Sequence, residues 1–231
     1  MRISRRSLLR LVGAGAAAPA AAAASVAAPT RNAAPSARAA PGRAFFTADE
    51  AAFVTAAVDR LLPRDDWPSA SEAGVVDYID RQLAGPYGAG ARMYMSGPHA
   101  AGTPQQGYQL PFTPAQVYRA ALAGMAPLLA GRPLAARSTD EQDALLKRLE
   151  AGELMLGEIP SAVFFETLLA NTIEGYFADP MYGGNRDMAG WRMIGFPGAY
   201  AMYVQWVDKH GIRFDRPPIG IAQHGGHSHG R

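Results

Sequence analysis

Apolar residues recur at helical spacing in six stretches of the chain, and no convincing strand pair stands out. Thr47-Ala48-Asp49-Glu50 reads as a capping box, with the Thr hydroxyl accepting from a first-turn N–H and Glu50 reaching back. Ala52, Phe53, Ala56, Ala57 and Leu61 then fall at helical spacing until Pro63 stops the run. A second helix is predicted from about Ser71 to Leu83, with Val76, Ile79 and Leu83 on one side and Gly85-Pro86 as its stop. Thr113-Pro114 opens a third, with a capping residue and Pro at the first position, although Gly124 and Pro127 should kink or end it. Ser138-Thr139-Asp140-Glu141 is another capping box, leading to Leu145, Leu146 and Leu149 and closed by Gly152. Ser161 to Phe177 is the most apolar stretch. Its large side chains cover more than one face, so this helix should lie at the centre. A last helix is predicted from about Gly198 to Lys209, carrying Tyr200, Tyr203, Trp206 and Val207. The pattern predicts an all-α domain of five to six helices.

Two stretches break this periodicity. Residues 84 to 112 hold ten Gly and Pro residues, with Tyr87, Met93, Tyr94, Met95, Tyr108, Leu110 and Phe112 between them. That content is too apolar for a free loop, so the stretch packs on its own domain or on a partner. The second, from Asp179 to Gly198, mixes Gly-rich turns with Met, Tyr, Trp and Arg, side chains favoured in binding surfaces. It reads either as such a surface or as a loop closing the helical core. The residues expected to meet a partner are Tyr87, Tyr94 and Tyr108 in the first stretch. In the second they are Pro180, Met181, Tyr182, Asn185, Arg186, Trp191 and Phe196.

The N-terminus has a different character. Ser4-Arg5-Arg6-Ser7-Leu8-Leu9-Arg10 matches a twin-arginine export signal with Arg5 and Arg6 as its pair, and a weakly apolar Ala/Gly stretch follows. Ala22-Ala23-Ala24 offers cleavage before Ser25, while a cut after Ala28 is disfavoured by Pro29. The domains are therefore predicted as a signal peptide over 1–28, a disordered Ala/Pro linker over 29–44, a helical body over 45–215 and a His/Gly-rich tail over 216–231. Such a leader directs the folded protein to the periplasm through the twin-arginine translocase.

Composition changes the picture in two ways. The chain has no cysteine, which removes disulfides, cysteine-ligated iron–sulfur clusters and thioether-linked haem. Its formal charge of +2 is misleading, because seven arginines precede the first acidic residue, Asp49. Removing those seven from the 22 basic residues leaves 15 against 20 acidic ones, a body of about −5. A basic surface for nucleic acid is not supported.

Candidates for chemistry are few. Glu166 and Glu174 lie eight apart on the central helix, and His99 and His210 stand alone. Acid–base catalysis needs a pocket and a shifted pKa that the sequence does not reveal. His224, His227 and His229 could bind a divalent metal weakly, since the glycines around them leave no ordered site. No nucleophile elbow, phosphate loop or dinucleotide fingerprint occurs, so no cofactor is expected in this chain. A freestanding exported enzyme using Glu166, Glu174 or His99, or a periplasmic metal-binding protein using the tail, stay open as alternatives.

Several segments together resemble the gluconate 2-dehydrogenase subunit 3 family. They are Ala57-Val58-Asp59-Arg60-Leu61-Leu62-Pro63, residues 74–80, Gly85-Pro86-Tyr87-Gly88, residues 107–110 and Phe164-Phe165-Glu166-Thr167. Most specific are Asp179-Pro180-Met181-Tyr182-Gly183-Gly184-Asn185, Gly190-Trp191 and Gly195-Phe196-Pro197-Gly198. The resemblance spans about residues 45 to 213. It implies the small, non-catalytic subunit of a membrane-associated dehydrogenase for gluconate, sugars or polyols. A large flavin subunit of the glucose–methanol–choline type would carry FAD, with an iron–sulfur cluster as an option, and a multihaem cytochrome c subunit would carry haem c. The small subunit would act as chaperone and export escort for the flavin subunit.

Overall fold

The computed structural model describes residues 39–100, 102–103, 106, 108–129, 131–200, 206–212 and 216–224. The predicted leader with Arg5 and Arg6, most of the linker, Tyr203, His227 and His229 lie outside them. The chain divides into a main unit, Ala37–Met95 with Phe112–Arg231, and a smaller one that contains Ser96–Pro111. Within the smaller unit, Thr103 N donates to Gln106 Oε1 at 2.6 Å and Gln109 Nε2 donates to the Gln106 carbonyl at 3.0 Å.

The main unit is all-α. Its helices are α1 (Ala48–Leu61), α2 (Val75–Ala84), α3 (Pro114–Leu129), α4 (Thr139–Glu150), α5 (Ser161–Phe177), α6 (Ala189–Ile194) and α7 (Ile221–His224). Both predicted capping boxes form, at Thr47 with Glu50 and at Ser138 with Glu141. Thr113 makes the same reciprocal pair with Gln116. The second helix begins at Val75 rather than Ser71, because Asp59 takes the Ser71 N–H at 2.8 Å and its hydroxyl at 2.7 Å, holding a turn there.

As expected, α5 is central and packs against α1, α2, α3 and α4. Phe164, Leu168 and Tyr176 are fully buried along it. Tyr118 of α3 meets Phe164 edge-on at 5.5 Å, and Phe46 lies 6.0 Å from Tyr118. Truncating an aromatic of this kind typically costs ~3–5 kcal/mol through lost transfer energy and a residual cavity.

Three expectations need correction. A two-residue hairpin is present, β1 (Met155–Leu156) against β2 (Ile159–Pro160), turned by Gly157 at φ 63°. Helix α3 runs through Pro127 to Leu129, since a Pro in the last turn disturbs little, and Arg137 Nη2 donates to the Leu129 carbonyl at 2.9 Å. Gly124 does not weaken α3 without return: a Cβ there would come within 2.6 Å of the Leu156 carbonyl carbon, so the glycine admits the hairpin. The helix expected from Gly198 is absent at its start. Gly198 adopts φ 83° and bridges in parallel to Ile219, and residues 198–200 carry no helix.

The chain entering α1 is tied down firmly. The buried Asp80 carboxylate accepts from the backbone N–H groups of Ala44 (2.7 Å), Phe45 (3.1 Å) and Phe46 (2.8 Å). Arg119 lies over the Phe45 ring at 3.9 Å and pairs with Glu50. The folded body therefore begins a few residues before 45.

Candidate functional site

The segment from Asp179 to Gly198 is held from inside by two polar side chains. Asp179 caps a 3-10 turn over Pro180–Tyr182, with Oδ1 accepting from Met181 N at 3.0 Å and Oδ2 accepting from Ile221 N at 2.7 Å. Asn185 is fully buried at φ 47°, a left-handed conformation that Asn tolerates better than most residues. Its Nδ2 donates to the Ala178 carbonyl and its Oδ1 accepts from Gly190 N, both at 2.8 Å. Asp187 and Met188 are left-handed too, at φ 54°. Three such non-Gly residues in four positions are costly and persist only where the surroundings fix them. Gly184 lets the segment lie on α5, since a Cβ there would sit 2.1 Å from the Gly175 carbonyl oxygen.

What this scaffold presents outward is apolar and aromatic. Met181 and Tyr182 are each about half exposed (49% and 46%), as are Ile194 at the end of α6 and Phe196 just beyond it. Phe196 stacks edge-on against Trp191 at 5.1 Å, while Trp191 itself is buried and donates Nε1–H to the Phe177 carbonyl at 2.7 Å.

Beside this segment lies a tyrosine cluster centred on Asn171, a buried amide inside α5. Asn171 Oδ1 accepts from the Tyr118 hydroxyl at 3.0 Å. Its Nδ2 donates to the Tyr87 hydroxyl at 2.9 Å and to Glu174 Oε2 at 3.3 Å. The Tyr78 phenol on α2 also donates to Glu174. Burial pushes the Tyr78 phenol up to about 12, helped by the Glu174 charge. Burial likewise raises Tyr87, opposed by its bond from Asn171, and raises the fully buried Tyr118 well above the ordinary value. The cluster holds three phenols neutral in fixed orientations, with Tyr78 and Tyr87 reaching the half-buried rim.

The description gluconate 2-dehydrogenase subunit 3 matches the chain over residues 48–198, about two thirds of its length. The chain belongs to that family. The match ends at Gly198 and so takes in α1 to α6, the tyrosine cluster and the whole Asp179–Gly198 segment. No curated protein and no solved structure matches it. Membership makes this a subunit of the kind found in dehydrogenase complexes.

Within this family member the sequence-predicted residues separate into groups. Met181, Tyr182 and Phe196 are exposed, Arg186 is exposed but ion-paired with Asp77, and Pro180 is half-buried. Asn185 and Trp191 were expected at the interface but are buried, because their polar atoms bind the chain's own backbone. Tyr87 belongs to the Asn171 cluster and Tyr94 is almost fully exposed, whereas Tyr108 sits in the smaller unit. Glu166 is exposed, and eight residues place it about 12 Å along the helix from Glu174, which serves Tyr78 and Asn171. His99 and His210 are exposed. Among the described residues no group of His, Cys, Asp and Glu could hold a metal. Tyr78, Tyr118 and Asn171 were missed by sequence reasoning, although a lone amide in the most apolar helix was a usable signal.

Proposed function

We propose that this chain is the non-catalytic small subunit of a periplasmic FAD-dependent dehydrogenase acting on gluconate, a sugar or a polyol. It binds the flavin subunit in the cytoplasm and escorts it, already folded, through the twin-arginine pathway. The observation that carries this reading is the family match across the helical body. The leader supports it: a translocase for folded cargo suits a partner whose FAD is inserted before export, and Arg5-Arg6 provides the signal. Haem c belongs on a cytochrome subunit in this reading, with an optional iron–sulfur cluster on the flavin chain. Among the described residues no helix is long and apolar enough to cross a membrane. In this reading membrane association comes through those partners.

The test is co-expression of the full-length chain with its flavin subunit, followed by fractionation. Replacing both leader arginines with Lys (Arg5→Lys with Arg6→Lys) should leave both chains and the FAD in the cytoplasm. Export of the flavin subunit regardless of the leader would overturn the escort role. Tightly bound flavin and substrate oxidation by this chain alone would overturn its non-catalytic assignment.

A further inference from the structure

Seven described arginines of the main unit, among them Arg60, Arg64, Arg119 and Arg132, are ion-paired with carboxylates of the same unit. Arg81 on α2 is not. Its natural partner is Asp77, four residues earlier on the same helix face, where an Asp–Arg pair normally forms. Asp77 is already taken by Arg43 at 2.8 Å and by Arg186. Arg81 instead lies over the glycine turn of the conspicuous segment: a Cβ on Gly183 would sit 2.9 Å from Arg81 Nη1. Among the described residues its guanidinium makes no ion pair, in a body with an acid excess that offers many. Tyr182, next to Gly183 in sequence, is half exposed. Tyr78 lies three residues back from Arg81 on α2 and is fixed by Glu174.

We propose that this face, Tyr78, Arg81 and Tyr182, docks on a carboxylate-bearing segment of the flavin subunit, with Arg81 as its charged anchor. The inference rests on the accessory-subunit reading and names the surface it uses. Arg together with Tyr is the composition of an interface hot spot, and the guanidinium fork fits a carboxylate at two points. A single unpaired guanidinium in a body with an acid excess suits one carboxylate on a protein segment, whereas nucleic acid or an anionic membrane would need a cluster of cations. Holding Arg81 over Gly183 and Tyr78 against Glu174 lowers the ordering cost of association.

The experiment measures the affinity of the full-length chain for its co-expressed flavin subunit, recognised by bound FAD. Arg81→Glu should weaken association at least about tenfold and flatten its salt dependence, while Arg81→Lys loses less. Lys147→Glu on α4, equally a cation without an acidic partner, is the control and should change nothing. Circular dichroism of the free variants must show the native helix content, and Tyr182→Ser tests the same face if Arg81→Glu fails to fold. If the unsubstituted chain binds the flavin subunit and the Arg81 and Tyr182 variants bind it equally well, the docking face lies elsewhere. If the unsubstituted chain binds no flavoprotein, the accessory-subunit reading itself fails.

Discussion

At the scale of single residues, the Asn171 cluster turns local geometry into a measurable pH response. Tyr78, Tyr87 and Tyr118 all keep their protons to higher pH in the folded chain than the ordinary value of 10.0. For each, the folded state binds more protons than the unfolded state once pH passes that value. The stability they contribute is thus fully present below pH 10 and drains away as pH rises through the folded values, about 12 for Tyr78. Spectrophotometric titration should show ordinary phenols ionising first and these three later, with loss of helical circular dichroism accompanying the late phase. Simple titration of every tyrosine together, with helix content unchanged, would show that the cluster is not closed to water. Asn171→Leu should bring the unfolding to lower pH, because it strands two hydroxyls that now share the amide.

At the scale of elements, the Asp179–Gly198 segment shows why sequence reasoning stopped where it did. Caps, helix stops and the central place of α5 were legible because each depends on neighbours within four residues or on the apolar period of one helix. The segment's unusual residues were also legible, but their direction was not. Trp191 and Tyr182 look alike as anchors in the sequence; only the tertiary fold puts the Phe177 carbonyl under one indole and leaves the other ring outside. Asn185 was read as a contact residue because nothing local reveals that Ala178 and Gly190 close around it. The α2–α5 packing that builds the tyrosine cluster joins residues some ninety positions apart, beyond any local pattern. The two kinds of residue are separable by experiment. Asn185→Ala loses two buried hydrogen bonds and a favourable left-handed residue, and should cost about 2–4 kcal/mol in urea unfolding. Tyr182→Ala should leave the urea midpoint nearly unchanged. Equal midpoints for the two variants would mean that Asn185 does not hold the segment.

At the scale of the whole molecule, the segment depends on chain that lies beyond the family match. Residues from 216 onward were expected to form a free tail, yet Ile219 and Ile221 are bound into the body. Ala199 N donates to the Ile219 carbonyl at 2.7 Å, and Ile219 N donates to the Pro197 carbonyl at 3.1 Å. Ile221 N donates to Asp179, and the Tyr200 hydroxyl donates to the Pro217 carbonyl at 2.8 Å. Asp179 is the shared point, since one carboxylate caps the Pro180 turn and anchors α7. Ending the chain after residue 215 removes these four bonds and deprives a buried carboxylate of one of its two backbone donors. At about 1 kcal/mol net for each bond, the loss is on the order of 3–4 kcal/mol, less whatever water restores. Ending it after His224 keeps every one of them. The shorter chain should therefore unfold at clearly lower urea, and amide exchange should quicken first at Met181, the other donor to Asp179. If both truncations match the full-length chain in midpoint and in exchange at Met181, the C-terminal segment merely rests on the body and the Gly-rich turn stands by itself.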